Sequence, residues 1–508
     1  MSTEHNQRDE DAAQLAALGY TSHFKRDMSL WANVSLGFTY LSPVVATYTL
    51  FAFALTTGGP PMIWSFVIVG LGQFLVALVF GEIVSQYPVA GGVYPWARRL
   101  WGKRWAWMTG WVYLVALLVT IASVAYGAGP YLDTLLGIDA TVNNTIFTAL
   151  GLLAVATIIN LGGTRVLSMA AIVGFTAELG GAIVVGLWLL LTQRVSGLGV
   201  IFDSFGAGSG SNYFVAFTAA GLIGIYQYYG FEACGDVAEE VPDPGRRIPR
   251  AMRMTIYFGG AAATFVALSL LLAVPDIAAV VNGEETDPVG TLLEGAFGPV
   301  GYKIVLAVVL ISFLSCVLSL QAAASRLTYS YARDKMIIGH QLFSHFWQTR
   351  HVPPYALALA AIAPAVVIVG SKLSTDALTK IISFATLGIY LGFQMVVFAA
   401  LRARLRGWEP SGKFTLGRFG VLINVAALTW GVLGMLNMVW PRTPDAPWYD
   451  NYLVLLSGVA VVAFGLVYMA VARPYDHGDA VSGDAIPAGR QAGRQSGRES
   501  GRRGDSPG

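Results

Sequence analysis

Two carboxylates and a run of tyrosines stand where a chain that merely anchors in lipid would have no use for them. Residues 221–250 read GLIGIYQYYGFEACGDVAEEVPDPGRRIPR, an apolar segment interrupted by Gly221, Gly224 and Gly230, by Tyr226, Gln227, Tyr228 and Tyr229, and then by Glu232. An unpaired backbone polar group is costly in hydrocarbon, so non-helical backbone survives there only where it lines a protein-enclosed cavity. The rings and the amide offer contacts to a small solute, and a cation on a tyrosine face gains ~0.5–2 kcal/mol. The same tyrosines also suit plain packing, because 12% of the chain is aromatic. Glu178 is a second carboxylate inside an apolar segment. Ionisable groups at membrane depth are expensive and default to functional roles. Glu178 or Glu232 is therefore expected to take up protons, since burial disfavours the charged form; a structural hydrogen bond to backbone or a hydroxyl is the other reading. His5, His23, His340, His345, His351 and His477 all fall outside the apolar segments, which leaves no imidazole for a proton relay.

A second interruption lies near the start of the chain. Ser42, Pro43, Val44, Val45 and Ala46 sit in the middle of an apolar run, where proline removes a backbone donor and restricts the residue before it. A half-helix beginning after Pro43 would expose unpaired N–H groups at the positive end of its dipole, a place for a carboxylate. An ammonium would sit at the carbonyl end of the preceding half-helix and on the tyrosine rings. A zwitterion uses both ends and a quaternary amine only the second.

The elements that must hold these residues are membrane helices. A chain of 508 residues that is 55% hydrophobic and 12% charged is no ordinary water-soluble enzyme. Apolar segments occur near 29–56, 62–86, 107–129, 144–161, 166–192, 212–236, 252–274, 303–332, 354–370, 376–401, 418–440 and 450–472, each near the length that spans a bilayer. The expected fold class is an all-α polytopic membrane protein of twelve transmembrane helices. Read as five helices followed by five, the breaks at 42–46 and 226–230 fall in corresponding places, the best sequence pointer to an inverted-repeat core with its site between the halves. The expected organisation is an N-terminal tail (1–27), a core of ten helices (28–401), two further helices (402–473) and a disordered tail (474–508).

With both termini inside, 27 of the 32 Lys and Arg residues lie on the cytoplasmic side, leaving Arg194, Lys303, Lys372, Lys380 and Arg442 outside. The outer loop 275–302 is acidic, and residues 1–27 lack the apolar stretch of a cleaved signal peptide. The chain is placed in the plasma membrane as a multi-pass protein. Cys234 and Cys316 fall within spans and suggest neither a disulfide framework nor a metal cluster. No cofactor, metal or nucleic-acid partner is expected. Met336–His351 reads as a short amphipathic surface helix.

Three separated motifs carry a family resemblance. GFEACGDVAEEVPDPGRRIPRA (230–251) resembles the signature that follows the sixth helix of the amino acid, polyamine and organocation permeases; GEIVSQYPVAGGVYPWARRLWG (81–102) is similar to their second-helix and loop motif; and SRLTYSYARDKMI (325–337) is similar to the end of their eighth helix. With SPVVATYTLFAFALTTGGPPMIW (42–64), the chain looks most like the amino acid and choline transporter branch, and the resemblance covers roughly 25–475. It implies a leucine-transporter-like fold with alternating access. It also implies that Ser42, Pro43, Val44, Val45 and Ala46 receive a substrate carboxylate, that Tyr226, Gln227, Tyr228, Tyr229 and Gly230 form the unwound part of helix six, and that Tyr226 covers the solute. Relatives often carry glycines where Val44, Val45 and Ala46 stand here, so the solute is expected to be small or positively charged. Some proton-coupled relatives place an amine in the fifth span, where this chain has Glu178.

The expected activity is secondary active transport of a small amino acid or amine (an amino acid, γ-aminobutyrate or similar), coupled to H+. A choline, ethanolamine or polyamine carrier is the alternative, as are an exchanger and a sodium-coupled carrier using Ser312, Ser315 and Ser319. An enzyme is disfavoured by the absence of a triad, a metal-ligand cluster or a loop large enough for a catalytic domain, and a channel by a single chain with paired breaks. Asp236, Glu239, Glu240 and Asp243, followed by Arg246, Arg247, Arg250 and Arg253, are expected to form an inner gate with Glu82, Arg98 or Arg326. Helices eleven and twelve lie outside the repeats and are free for a homodimer contact.

Overall fold

Proline at the first position of a helix fixes φ where the N–H has no intrahelical partner, and an Asp or Ser before it can cap the first turn. Three helix starts place Ser or Asp ahead of proline, Ser42-Pro43, Asp243-Pro244 and Asp287-Pro288, and the side chains of Ser42 and Asp287 cap the turn whereas that of Asp243 does not. A computed structural model describes residues 2–21, 23–209, 212–373, 377–442 and 447–486. After an N-terminal helix α1 (Ser2–Ala17), the chain runs through α2 (Leu30–Leu41), α3 (Pro43–Gly58), α4 (Ile63–Gln86), α5 (Val93–Leu100), α6 (Lys103–Leu136), α7 (Val142–Asn160) and α8 (Thr164–Trp188). The middle holds α9 (Tyr213–Ala220), α10 (Leu222–Gln227), α11 (Ala233–Asp236), α12 (Pro244–Ala273), α13 (Ile277–Val281) and α14 (Pro288–Arg333). It ends with α15 (His340–Phe343), α16 (Pro354–Gly370), α17 (Ala377–Leu405), α18 (Gly420–Val439), α19 (Trp448–Asn451), α20 (Leu453–Ala472) and α21 (Pro474–His477).

Among the described residues ten helices are long and apolar enough to cross a bilayer, and Tyr213–Gln227 and Pro354–Gly370 are shorter apolar helices at the sixth and ninth positions. No strand occurs among those residues; the one β-bridge joins Trp347 to Val352. The protein is an all-α, multi-pass membrane protein.

Burial separates the centre from the rim. The most apolar stretch of the first helix, Leu30–Gly58, is 83% buried, whereas that of Leu453–Ala472 is 6% buried. The broken first helix is therefore surrounded by protein, and the last faces lipid with one apolar side chain after another, Val471 among them. Around α2 pack α8, α12 and α14; α4 lies along α12, and α6 along α17. The long α14 is itself two helices, because Gly298 has a φ of 67° ahead of Pro299.

Two features at the cytoplasmic face differ from the sequence reading. The stretch 336–351 is not a continuous amphipathic helix: it holds only α15 and the bridge from Trp347 to Val352. The tail's first part, 474–486, packs on the body, with Ala485 and Ile486 buried; the remainder lies outside the described residues.

Candidate functional site

The first break is sharp. Ser42 ends α2 and begins α3 with φ 40° and ψ 91°, a left-handed geometry unusual for a residue with a Cβ. Strain of this kind persists only where the surroundings hold it, and they do so through α8. Ser42 Oγ donates to Glu178 Oε1 at 2.6 Å, and Val44 N donates to the same oxygen at 3.1 Å. Ser42 Oγ accepts from Val45 N at 3.3 Å, and Ala46 N returns to Ser42 O at 3.3 Å. Glu178 is fully buried, and its Oε2 has no hydrogen-bond partner among the described residues.

The second break faces the first. α10 ends at Gln227, whose Nε2 donates to Leu41 O at 3.1 Å, so the sixth segment satisfies the last free carbonyl of α2. Gly230 takes φ 116° and lies so close to α2 that a Cβ on it would fall 2.6 Å from Leu41 N. No other residue type fits there. Gly230 N donates to Glu232 Oε2 at 2.7 Å, and Tyr113 Oη donates to Glu232 Oε1 at 2.9 Å. One turn later Asp236 is fully buried with neither carboxylate oxygen bonded among the described residues.

Of the three tyrosines, Tyr226 and Tyr229 lie at the junction of the two breaks and Tyr228 does not. Tyr226 pairs with Ser123 Oγ at 3.2 Å and meets Tyr229 edge to face, centroids 5.6 Å apart. Tyr229 in turn meets Tyr40 of α2 edge to face at 6.2 Å. Tyr228 turns the other way, into an apolar groove between α4 and α12 beside Gly70 and Gly260. Pro43, Val44, Val45 and Ala46 form the first turn of α3, all buried. The sequence reading did not single out Tyr113, Ser123 or Tyr40, and weighed Cys316 only for a disulfide or metal role. Cys316 donates to Tyr40 O at 3.2 Å and lies within electrostatic reach of Glu178, Tyr226 and Tyr229. The available signal was a polar side chain inside an otherwise apolar helix, which Tyr113 and Ser123 share.

Of the three serines considered for a sodium site, Ser312 and Ser315 bond to carbonyls of their own helix, Val308 O at 3.2 Å and Ile311 O at 2.8 Å. Ser319 pairs with Thr39 of α2 at 2.8 Å. The only hydroxyl contact between α2 and α14 among the described residues is thus Thr39 with Ser319.

Opposite charges do meet beneath the site, but with different partners from those expected. Arg326 Nε donates to Glu240 Oε1 at 2.9 Å with both groups buried, and Thr164 Oγ1 donates to the other oxygen at 2.6 Å. Arg333 reaches Glu239 at 2.9 Å, while Ala90 N donates to the same carboxylate at 3.1 Å. Arg98 pairs with Asp334, to which Tyr94 and Tyr20 also donate. Glu82 is held by Arg404 and by Leu416 N rather than by the arginines at the start of α12, and Asp236 makes no ion pair among the described residues. Those arginines lie on the outer side of α12's first turns; Arg246, Arg247 and Arg250 form no ion pair among the described residues, and Arg253 packs over Phe414. The C-terminal end of α14 supplies the cations because its last turns set Arg326 and Arg333 against the acidic stretch.

Both chain ends fasten onto this closure. Asp11 of α1 accepts from Asp243 N at 2.9 Å, and Arg99 of α5 pairs with Asp484 at 2.6 Å and with the carbonyl of Leu18. Lys335 stands 2.5 Å from Asp479 and holds its carboxyl below the ordinary range. That contact is present at neutral pH and is lost only as pH falls through the lowered value.

A family model described as amino acid permease matches residues 29–464. An amino-acid permease BAT1 of Arabidopsis thaliana is 26% identical over 495 residues, covering 89% of this chain and 93% of the plant protein. A BAT1 homolog of Oryza sativa subsp. japonica is 28% identical over 474 residues, 85% of this chain and 89% of its own. Amino-acid permease 2 of Neurospora crassa is 25% identical over 491 residues, 91% and 87% respectively. The chain belongs to the amino acid permease family, within the amino acid, polyamine and organocation superfamily, and is a membrane transporter rather than an enzyme.

Proposed function

We propose that the protein is a secondary active carrier that moves a small amino acid or amine across the cell membrane by alternating access about the two helix breaks, driven by protons. The observation that carries this reading is the junction itself: Gln227 and Gly230 close on Leu41 while Glu178 and Glu232 cap the broken ends. Two segments that lose their helix where they meet, each stabilised by a buried carboxyl group, place non-helical backbone and polar side chains in the interior, which a rigid anchor has no reason to contain. The relatives' description as amino-acid permeases supports an amino acid as the solute.

Coupling is assigned to Glu232 with Asp236. The two acids lie one turn apart in a dry interior, where a pair that would carry two like charges is a natural place for one transferable proton. The buried cation–carboxylate pairs of Arg326–Glu240, Arg333–Glu239 and Arg98–Asp334 form the inner gate in its closed state. The lysine and arginine distribution supports cytoplasmic termini. Apolar faces of α18 and α20 are where a second copy would meet the first.

Counterflow in proteoliposomes tests the carrier. Labelled amino acid should enter against no net gradient when unlabelled amino acid is trapped inside, and entry should saturate. Release of the trapped solute without saturation or competition would identify a pore. An organocation carrier is the second reading, favoured by the position of Glu178.

A further inference from the structure

The donors that a solute carboxylate would need at the start of α3 are already in use. Val44 N goes to Glu178 Oε1, Val45 N to Ser42 Oγ and Ala46 N to Ser42 O, while Pro43 has no N–H. Ser42 Oγ itself donates to Glu178 at 2.6 Å. The positive end of the α3 dipole is thus already occupied by a carboxyl group belonging to the chain, delivered from α8.

What remains at this end is an acceptor. Glu178 Oε2 is buried and receives no hydrogen bond from any described residue, an unfavourable state until a donor arrives. A buried carboxylate oxygen with no donor is chemistry for a cationic nitrogen, which brings a charge-assisted hydrogen bond.

We infer that Glu178 determines which end of the solute this site reads: it fills the amide turn at Ser42–Ala46 itself and offers Oε2 to an ammonium, so that the ligand class is an organic amine whose carboxylate is dispensable. This rests on the carrier reading above and narrows its solute class. Glu178 in this role binds substrate, while the coupling proton resides on Glu232 and Asp236.

Matched triads of probes test it on the full-length protein in proteoliposomes: L-alanine, ethylamine and propionate, and L-leucine, 3-methylbutylamine and 4-methylpentanoate. Each is added as competitor to uptake of whichever amino acid or amine of a labelled panel enters best. The amines should compete within roughly tenfold of their parent amino acids, and the acids lacking the α-amine should not compete in comparable excess. Glu178→Gln, which keeps an oxygen for Ser42 and Val44 but loses the charge, should weaken the amines by roughly ten- to a hundredfold, the worth of one hydrogen bond to a charged group. Competition by the acids with none by the amines overturns the inference and leaves the carrier intact. Amines that bind Glu178→Gln as well as they bind wild type also overturn it. If the variant does not reach the membrane, the wild-type triads decide alone. Absence of saturable uptake for every amino acid and amine in the panel instead removes the carrier reading on which the inference stands.

Discussion

Glu178 Oε1 lies 2.6 Å from Ser42 Oγ, and this contact ties the fifth membrane helix to the exact residue at which the first one breaks. Ser42 holds φ 40° without the freedom of glycine, so the bond is also what keeps the break in place.

Ser42→Ala removes a hydroxyl that serves Glu178 and Val45 at once. The loss of cap and buried partner should cost about 1–3 kcal/mol, read as a lower melting temperature in detergent, and should reduce uptake. Ser42→Gly suits the positive φ and should recover part of the stability but none of the uptake. Equal uptake by wild type and both variants would show that the break does not need this hydroxyl.

Glu232 accepts from Tyr113 and Gly230 N. Replacement by Gln keeps the shape and removes the exchangeable charge. Uptake by Glu232→Gln should no longer rise when an inward proton gradient is imposed, while counterflow persists. Should Glu232→Gln respond to the gradient as wild type does, proton coupling through this acid is wrong.

Gly92 stands at φ 50°, and a Cβ there would lie 2.2 Å from Asp236 Oδ1. Gly92→Ala should therefore lower the melting temperature, by an amount corresponding to about 1–3 kcal/mol of strain. Gly151→Ala on α7 meets nothing within 4 Å and serves as the neutral control. Indistinguishable melting of the two variants would contradict the packing of the loop on Asp236.

Arg326 and Glu240 are both buried. Removing one partner leaves the other charge stranded at a cost of about 3–5 kcal/mol, whereas removing both is far milder. Arg326→Met should thus be strongly destabilised and Arg326→Met with Glu240→Gln less so. Additive losses in the double variant would mean that the pair does not interact.

Much of the fold could be read in the residues because lipid imposes a coarse rule: apolar runs must be helices, and Pro43, Gly230 and the tyrosines mark where they fail. Both breaks and both buried carboxylates were visible for that reason. Side-chain direction was not. Tyr226, Tyr228 and Tyr229 look equivalent in sequence, yet Tyr228 points between α4 and α12 because the chain has left the helix by then, with Tyr228 at φ −104° and ψ 43°. The pairing of the gate was equally hidden: Glu239 and Glu240 precede four arginines in sequence, but their partners Arg333 and Arg326 come from α14, some ninety residues on. Local charge order indicates which charges are near the mouth, and only tertiary packing decides which of them touch.

The most direct test compares Tyr226→Ala with Tyr228→Ala in counterflow. Tyr226 faces Ser123 and Tyr229 at the junction of the breaks, and Tyr228 faces away from it. The expected result is a half-saturating concentration raised by roughly tenfold or more in Tyr226→Ala, the scale of one lost aromatic contact to a cation, and left within about twofold in Tyr228→Ala. Equal effects, or a larger one at Tyr228, would contradict a solute site between the broken helices.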